Sequence, residues 1–294
     1  MKINKDLTIV LPSYRSKNLI LDHLKKLSSK YKIIIIENSF DKNLEKIVKQ
    51  NYKNVDIYLR KNIGFGRAIN YAAKKIKTKY FFVINPDTKI YTNTLKNLLS
   101  ACKEIKKFGS ISPIHIENKN KYNNKLFVEK KLINGQAMLF ETKTYKKING
   151  FDENFFLYYE ENDFFKKCNI LNYKLYLITN SFYNHTKIGE NNNINLNLHS
   201  TTFSNFEEKK STYIVGGWHG QWSKYYFYKK YYGTLKALTI CLPKVILNFM
   251  QLILYILINP KKVKYKYFKI EGFLCSFLGL PSFKRSSYDK KYIY

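Results

Sequence analysis

The sequence predicts an α/β protein in which helices alternate with the strands of a mostly parallel sheet, followed by a helical extension. Four short apolar runs, at 7–12, 32–37, 55–59 and 80–84, are separated by segments whose apolar residues have helical spacing. Repeated βα units favour a parallel sheet with right-handed crossovers. The pattern changes after Leu126, and the last third of the chain is a basic and aromatic region.

The individual elements follow from local patterns. Helices are predicted at 19–27, 42–50, 66–76 and 92–106, and a fifth strand is predicted at 109–116. Further along, we expect a short strand at 136–140 and helices at 142–148 and 163–171. The run KIIIIE at 32–37 is too apolar for an exposed strand and should be buried on both faces. The polar stretch 118–125 predicts a loop, and the Asn-rich stretch 191–208 predicts a linker.

Composition limits the possible classes of protein. The formal charge of +31 indicates an anionic partner, but only four basic residues are arginines (Arg15, Arg60, Arg67, Arg285). Arg is the side chain that reads phosphates and bases bidentately, so the lysine excess favours diffuse attraction over specific nucleic-acid binding. Four scattered cysteines without metal-ligand spacing fit a reducing compartment. The first apolar run is too short for a signal peptide, which predicts a cytoplasmic protein.

We expect two domains, a catalytic domain at 1–205 and a membrane-associating or acceptor-binding extension at 206–294. The extension contains an aromatic and lysine-rich segment at 225–232 and a strongly apolar segment at 245–258, which is too short to cross a bilayer. The apolar segment carries one narrow polar stripe and precedes a lysine cluster. The stripe is Lys244, Asn248, Gln251 and Tyr255, and the cluster is Lys261, Lys262, Lys264, Lys266 and Lys269. This pattern favours peripheral attachment to anionic lipid; a buried helix and a membrane span are the alternatives.

Two acidic motifs could carry chemistry. Asn85-Pro86-Asp87 follows the strand at 80–84, and a carboxylate at this end of a parallel strand lies where open α/β sheets bind ligands. Asp87 could hold a divalent metal on a diphosphate, or could simply form an Asx-Pro turn. The second motif is Glu160, Glu161 and Asp163, which follow the aromatic stretch 155–159. Their carboxylates could act as a base sheltered by aromatic rings, or as first-turn acids favoured by the helix dipole.

The order of several motifs resembles glycosyltransferase family 2, with the GT-A fold and its Rossmann-like sheet, and is most similar to the rhamnosyltransferase-like branch. The motifs are PSYR at 12–15, ENS at 37–39, NIGFGRAIN at 62–70, NPD at 85–87, NGQAML at 134–139, GFDENFFLYYEENDF at 150–164, and His185 with Gly189. The resemblance covers about residues 7–190. The segment 150–164 is its most specific part.

The resemblance implies a role for each matching residue. Pro12, Tyr14 and Glu37 would surround the nucleobase and ribose, although Glu37 alone could be a turn acid. The residues that would pass near the nucleotide are Asn62, Gly64, Gly66 and Asn70, and the glycines could instead serve only a tight turn. Asp87 would bind the metal and the diphosphate, with Asn85 in place of the first acid of a DxD motif.

The resemblance also implies catalytic and metal-binding residues. Glu161 would be the general base, with Asp163 two residues on as a second catalytic acid. His185 could complete the metal site, or could be an ordinary polar residue; as a ligand it would favour Mn²⁺ over Mg²⁺. Asn191 stands where the pattern has a small hydroxyl residue, so donor contacts should differ there.

The implied activity is inverting transfer of rhamnose or a hexose from a dTDP- or UDP-linked donor, with a divalent metal as cofactor. The implied acceptor is a surface polysaccharide or a lipid-linked glycan, met at the inner face of the cell membrane. The alternative is a non-catalytic basic module that binds nucleic acid or acidic glycan through its lysines. That alternative explains the charge but not the acids clustered beside aromatic residues, since these would repel a polyanion.

Overall fold

The computed structural model describes residues 3–122, 125–185 and 206–285. These residues divide into two compact units, which are described separately. The first unit is drawn from 1–63, 68–151 and 164–202, and the second from 64–67, 152–163 and 203–294. The second unit thus takes two short segments from the N-terminal half in addition to the C-terminal helices. The predicted division into a catalytic domain and an extension stays a prediction.

The described residues contain nine strands and eight α-helices. The strands are β1 (Asn4–Ser13), β2 (Tyr31–Glu37), β3 (Val55–Leu59), β4 (Tyr80–Ile84), β5 (Thr88–Ile90), β6 (Phe108–His115), β7 (Phe127–Lys130), β8 (Ala137–Glu141) and β9 (Lys174–His185). The helices are α1 (Lys17–Leu27), α2 (Lys42–Asn51), α3 (Phe65–Lys75), α4 (Thr94–Glu104), α5 (Thr142–Lys147), α6 (Glu160–Ile170), α7 (Phe206–Ile258) and α8 (Pro260–Phe277). The first residues of α3 and α6 belong to the second unit.

All nine strands form one sheet in the first unit. Its order is β3-β2-β1-β4-β8-β6-β9-β5, and β7 pairs with β9. The pairs β1/β2, β1/β4, β2/β3 and β6/β9 are parallel, whereas β4/β8, β6/β8, β5/β9 and β7/β9 are antiparallel. The predicted α/β class is confirmed, and the parallel part is the N-terminal four strands. Beyond β4 the sheet is mixed, because β5, β7 and β9 add pairings that the sequence pattern did not predict.

The core of the first unit follows the apolar runs. In β2 the four consecutive isoleucines Ile33–Ile36 are at most 1% exposed, which confirms that this strand is buried on both faces. Leu24 of α1 and Val48 of α2 pack in the same core cluster as alternate residues of β1 and β2. Burying these strands fixes the positions of their carboxyl ends, where the candidate site lies.

In the second unit, α7 consists of two helical arms joined at Gly233. This glycine has φ 79° and ψ 170°, a backbone conformation outside the helical region that glycine adopts without a steric penalty. The second arm, residues 234–258, continues through Pro243. The helix around the apolar segment is therefore longer than predicted. Among the described residues, one helix, within Val215–Ile258, has the length and apolar composition needed to cross a membrane.

The second arm of α7 turns its polar stripe toward α8. Asn248 is fully buried, and Lys266 of α8 donates hydrogen bonds to Asn248 Oδ1 at 3.5 Å and to Gln251 Oε1 at 2.5 Å. Ala237, Cys241 and Val245 are buried in one cluster with Tyr225 and Phe273, whereas most large apolar residues from 246 to 258 are exposed, among them Leu257 at 81% and Ile258 at 66%. The end of the arm after Val245 thus buries polar side chains and exposes apolar ones, which is the reverse of a helix that packs its apolar face on a core.

Two predicted connections have different outcomes. The stretch 118–125 begins at the last residue of the 3-10 turn Ile116–Asn118 and continues in turns through residue 122, which agrees with a loop; residues 123–124 lie outside the described residues. The predicted linker at 191–208 lies outside the described residues up to 205, and its last three residues are in α7.

Candidate active site

The candidate site in the first unit lies at the carboxyl ends of parallel strands. The register of β1 and β2 sets Ser13 beside Glu37, and β4 runs parallel to β1 on its other side. The turn Asn85-Pro86-Asp87 follows β4 directly, and Thr88 N donates to Asn85 O to close it. Glu37 and Asp87 are therefore brought to the same edge of the sheet, where ligands bind in folds of this kind.

The structure brings Asp87 and His185 together. Asp87 precedes β5, and the antiparallel register of β5 and β9 pairs Thr88 with His185. As a result, His185 Nε2 lies 3.3 Å from Asp87 Oδ2, and both side chains are about one quarter exposed. A carboxylate and an imidazole thus share one partly exposed spot at the end of two strands that are distant in sequence.

The donor atoms at this spot fit a divalent cation. Asp87 Oδ1 and Asn85 Oδ1 are buried and have no hydrogen-bond partner among the described residues. Buried oxygens of this kind need a partner, and oxygen donors beside an imidazole suit Mn²⁺ or Mg²⁺. Among the described residues, no group of three or more His, Cys, Asp or Glu side chains is arranged to hold a metal ion. The protein would therefore supply two or three donors, and substrate oxygens and water the others.

Two histidines that the sequence reasoning missed flank this spot. His23 of α1 is buried, and its Nε2 lies 3.0 Å from Pro86 O. Burial lowers the pKa of His23, so the neutral ring donates this hydrogen bond and holds the turn that carries Asp87. The backbone N–H of His185 lies 3.5 Å from His115 Nε2. A His on a helix next to an apolar run gives no signal of either contact.

Glu37 is fully buried, and its carboxylate accepts hydrogen bonds from Ser39 N at 2.7 Å and from the hydroxyls of Ser13 and Ser39. Burial raises the pKa of Glu37, and these hydrogen bonds lower it in part. The carboxylate therefore ties the ends of β1 and β2 together. Its predicted contact with the nucleotide stays a prediction.

The loop after β1 holds the other predicted nucleotide contacts. Pro12 is buried in the strand, and Tyr14 is half-buried with the Arg15 guanidinium 5.7 Å from its ring centre. Arg15 has φ 53°, and its N–H donates to Ser39 Oγ at 3.0 Å. This left-handed residue turns the chain sharply at the end of β1, so Tyr14 stands at the sheet edge.

Asn70 of α3 serves the fold directly. Its Nδ2 donates to Phe151 O at 2.9 Å, and its Oδ1 accepts from Phe151 N at 3.0 Å and from Tyr145 OH at 2.7 Å. The amide therefore anchors the start of the 150–164 segment. Asn62 is half-buried in the turn that follows β3.

Gly64 and Gly66 belong to the second unit. Gly64 has φ 85°, and a Cβ there would lie 2.3 Å from Phe156 O. This position therefore requires glycine for close approach, which agrees with the structural alternative considered above. Gly66 is buried in the first turn of α3.

The acidic motif forms the first turn of α6, so this helix begins three residues before its predicted start at residue 163. Glu160 is 4% exposed, and its Oε2 is buried without a hydrogen-bond partner among the described residues. Glu161 is half-buried. Burial raises the pKa of both carboxyls, and the charge of Glu161 raises that of Glu160 further. A carboxylate with a raised pKa is a stronger base than one in water.

Asp163 is fully buried and is held by α7. Lys230 donates hydrogen bonds to Asp163 Oδ1 and, at 2.8 Å, to Asp152 Oδ2, and Tyr231 OH donates to Asp163 Oδ1 at 2.8 Å. Burial alone would raise the pKa of Asp152, but hydrogen bonds from Lys230 and Asn154 outweigh it and lower that pKa. Lys230 thus joins both ends of the segment 152–163 to one helix.

Two consecutive tyrosines before these acids have left-handed backbone. Tyr158 has φ 67° and Tyr159 has φ 69°, a conformation that costs a non-glycine residue roughly 1–3 kcal/mol. The ring of Tyr159 packs 5.4 Å from that of Phe227, and Leu157 O accepts a hydrogen bond from Ser223 at 2.9 Å. Such strain persists where the surroundings hold it in place, and here it orients the first turn of α6.

Several solved structures have folds similar to that of this chain. A mannosyltransferase, PcManGT from Pyrobaculum calidifontis in complex with GDP-Man and Mn²⁺, is 12% identical with a TM-score of 0.56, and the match covers 95% of this chain and 90% of that one. S. aureus TarS 1-349 in complex with UDP-GlcNAc is 13% identical with a TM-score of 0.52, covering 94% and 92%. GalNAc-T7 with UDP, GalNAc and Mn²⁺ is 11% identical with a TM-score of 0.51, and the match covers 73% of this chain but only about half, 51%, of GalNAc-T7.

These likenesses establish the fold, which is the GT-A architecture that the sequence predicted. A search of curated proteins found no sequence match. Residues 8–177, more than half of the chain, match the profile of glycosyl transferase family 2. The chain therefore belongs to glycosyl transferase family 2.

Proposed function

We propose that this glycosyltransferase moves rhamnose or a hexose from a nucleotide-diphosphate sugar to a hydroxyl group of a surface polysaccharide or a lipid-linked glycan, with inversion. The observation that carries the proposal is the Asp87–His185 pair, which exposes oxygen and nitrogen donors at the carboxyl ends of the parallel strands. The fold alone would allow many functions, so the proposal depends on this site.

The reaction is a single displacement. The acceptor hydroxyl loses its proton to Glu161 and attacks the anomeric carbon, so that a new C–O bond forms as the bond to the diphosphate oxygen breaks. The nucleoside diphosphate leaves, and Glu161 keeps the proton until it passes to water. Glu161 suits this task because burial raises its pKa, which strengthens it as a base. Asp163 acts as a positioning residue, since its hydrogen bonds from Lys230 and Tyr231 orient the turn that carries Glu161.

Asp87 and His185, with Asn85 as a further oxygen donor, would hold a Mn²⁺ or Mg²⁺ ion. The ion would supply Lewis-acid neutralisation of the negative charge on the leaving diphosphate. Glu37 acts from within the protein by fixing the ends of β1 and β2, and Tyr14 at that edge contacts the nucleoside.

The donor is a dTDP- or UDP-linked sugar. Support for a nucleotide-diphosphate sugar comes from the GDP-Man and UDP-GlcNAc complexes of the structural neighbours, which share the fold. The choice of rhamnose rests on the sequence motifs that resemble the rhamnosyltransferase-like branch. Charge alone supports no specific nucleic acid partner, because lysine outnumbers arginine heavily.

We further propose that the enzyme is a peripheral protein of the inner face of the cell membrane. The second arm of α7 exposes a continuous set of large apolar residues, and Lys262 and Lys264 lie exposed at the start of α8. Apolar area next to lysines is the combination by which helices bind anionic lipid in the interface plane.

The site is tested by replacing Asp87 with alanine. Isothermal titration in the presence of Mn²⁺ should give binding of dTDP-rhamnose or a UDP-hexose to the natural protein. Asp87→Ala should weaken this binding at least about tenfold, because it removes the carboxylate beside the diphosphate. Omitting the metal should weaken binding to the natural protein in the same way.

Asp56→Ala is the matched control, since Asp56 of β3 forms an exposed ion pair with Lys32 and has no assigned role in the site. It should bind the donor as the natural protein does. Donor binding that is unchanged in Asp87→Ala would contradict the site. Tight binding of RNA or an acidic polysaccharide without metal, together with no donor binding, would favour the basic module instead.

A further inference from the structure

The second unit contains a cavity of about 720 Å³ that the mechanism above does not use. Its wall includes Trp222 and Tyr226 from the first arm of α7, Ser276 at the end of α8, and the segment 279–283 that follows α8. Arg67 and Asn154 contribute from the two short segments that join this unit. A cavity of this size is within the range of small-ligand sites.

The cavity is strongly basic. Its described lining includes Arg67, Lys229, Lys230 and Arg285, and no Asp or Glu side chain is among the described lining residues. The charge of Lys230 is neutralised by its ion pairs with Asp152 and Asp163. The other three cations give the cavity its positive potential.

The contacts of Arg67 and Lys229 are with neutral groups, so they do not neutralise the two positive charges. Arg67 Nε donates to the backbone carbonyl of Glu153 at 2.6 Å, and Lys229 Nζ lies 6.0 Å from the ring centre of Tyr225. Within the described ranges, neither side chain has a carboxylate partner. Two cations held at a cavity without counter-charge favour an anionic ligand.

A buried hydroxyl points to the same conclusion. Ser276 is 4% exposed and lines the cavity, and its Oγ is buried without a hydrogen-bond partner among the described residues. Buried polar groups in folded proteins are normally paired, so this hydroxyl calls for a ligand or water. A hydroxyl and two cations that line the same cavity are donors that suit phosphate oxygens.

The wall opposite α7 is fixed in place. Trp222 Nε1 donates to Leu280 O at 2.9 Å, His219 Nδ1 lies 2.9 Å from Ser282 Oγ, and His219 Nε2 lies 2.7 Å from Lys284 O. Burial lowers the pKa of His219 to about 3, so the ring stays neutral, with Nε2–H donating to the carbonyl and Nδ1 accepting from the serine. The cavity is therefore preorganised, which reduces the entropy cost of binding.

The cavity is linked to the proposed base through one residue. Lys230 lines the cavity and binds Asp163, which lies in the same helical turn as Glu161. In the proposed function, Glu161 takes a proton from the acceptor. A ligand in this cavity would therefore be connected, through Lys230 and Asp163, to the helical turn that acts on the acceptor. We propose that this cavity binds the diphosphate group of a lipid-linked glycan acceptor, an inference that rests on the proposed function.

The test measures binding of three soluble probes to the full chain by isothermal titration: geranyl diphosphate, inorganic diphosphate and UDP. We expect geranyl diphosphate to bind at least as tightly as inorganic diphosphate. The double variant Arg67→Gln/Lys229→Gln should weaken both at least about tenfold, because it removes the two uncompensated charges. Ser276→Ala should give a smaller, severalfold loss with an unchanged thermal unfolding midpoint.

The matched control is Lys74→Gln/Lys103→Gln, which removes the same charge from exposed positions of α3 and α4 in the first unit. This control should bind both diphosphates as tightly as the natural chain does. If both double variants weakened diphosphate binding equally, the binding would come from diffuse charge attraction and the proposal would be overturned. UDP binding that depends on Arg67 and Lys229 more than geranyl diphosphate binding does would also overturn it, since the cavity would then serve the donor.

The Asp87→Ala variant separates this inference from the proposed function. Geranyl diphosphate binding should survive Asp87→Ala, while metal-dependent donor binding is lost. If the natural chain bound no nucleotide-sugar donor, the proposed function would be wrong, and so would the assignment of the cavity ligand as an acceptor. Diphosphate binding that depends on Arg67 and Lys229 would still define the cavity as an anion site. Loss of geranyl diphosphate binding in Asp87→Ala would overturn the cavity as a separate site.

Discussion

At the scale of single residues, the proposed chemistry depends on carboxyl groups that the fold removes from water. Glu160 and Glu161 are neighbours in the first turn of α6, and burial raises the pKa of both. Glu160 is the more deeply buried of the two, and the negative charge of Glu161 raises the pKa of Glu160 further. We assign the role of base to Glu161, and the titration of the two carboxyls is a property of the pair.

Replacing Glu161 with glutamine should lower the rate of sugar transfer by about 10²–10⁴-fold, the usual contribution of a general base. Donor binding measured by titration should stay within about twofold, because the amide keeps the shape of the side chain. Transfer is measured as release of nucleoside diphosphate in the presence of acceptor. A variant that retained most of its activity would remove Glu161 from the role of base.

The pH dependence provides a second readout of the same prediction. A base must be deprotonated, so kcat/KM should fall as the pH is lowered through the pKa of Glu161, and burial moves that limb above the ordinary carboxyl range near pH 4.5. Glu160→Gln mimics the protonated neighbour and should keep both the activity and the limb. If Glu160→Gln were inactive and Glu161→Gln active, the roles would be reversed.

At the scale of elements, the second unit depends on how closely α7 and α8 approach. A Cβ at Gly272 of α8 would lie 2.2 Å from the backbone oxygen of Trp218 in α7, and a Cβ at Gly217 would lie 2.5 Å from Tyr265. The two helices meet through glycine on both sides, with Trp218 and Phe273 buried near the contact. This contact sets the position of Ser276 and of the segment that follows α8.

Gly272→Ala should destabilise the second unit by about 1–3 kcal/mol, because α8 must move away from the Trp218 carbonyl. This loss should exceed the gain of up to ~1 kcal/mol that alanine gives in a helix. The measurement is urea unfolding followed by tryptophan fluorescence, which is specific here because both tryptophans, Trp218 and Trp222, lie in α7.

Gly220→Ala is the matched control in α7. Its Cβ would lie 3.8 Å from Tyr158, which is ordinary contact, so alanine should leave stability unchanged or raise it slightly. A Gly272→Ala protein as stable as the Gly220→Ala protein would show that the helices can separate without cost.

At the scale of the whole molecule, the proposed membrane attachment depends on the exposed surface of α7 and α8. Residues 234–258 form an arm about 37 Å long that bonds Asn248 and Gln251 to Lys266 and exposes most of its large apolar side chains after Val245. Exposed apolar surface on this scale marks an interaction site. Peripheral attachment accounts for both this surface and the exposed lysines of α8.

Co-sedimentation with lipid vesicles tests this attachment. The protein should bind vesicles that contain anionic phosphatidylglycerol more strongly than vesicles of phosphatidylcholine alone, and Leu254→Ser/Leu257→Ser should reduce binding at least about tenfold. The control Ile170→Ser/Leu171→Ser removes two exposed apolar residues at and just after the end of α6. Equal binding by the two variants would contradict the assignment, and resistance to extraction at alkaline pH would favour a membrane span.

The sequence predicted those parts of the molecule that depend on local patterns. β1 to β4 and α1 to α4 have strong apolar periodicity, and their positions agree with prediction to within a few residues. β5, β7 and β9 were missed, because these strands depend on pairing with distant partners more than on their own pattern. The contact of Asp87 with His185 follows from that pairing, so its geometry could not be read from spacing.

The same distinction applies to the second unit. The polar stripe of α7 was visible in the sequence, but its partner Lys266 was not, since a single helix does not reveal which neighbour covers it. The left-handed Tyr158 and Tyr159 also gave no signal, because tyrosine rarely adopts this conformation. Sequence motifs identified the acids, whereas the contacts that orient them required coordinates.

The pairing of Thr88 with His185 has a consequence for how this chain can change in evolution. Side chains alternate between the two faces of a strand, so inserting or deleting one residue within β9 before His185 would turn the imidazole to the opposite face. Loops can lengthen freely, but the stretch from Lys174 to His185 must keep its length for histidine and aspartate to meet.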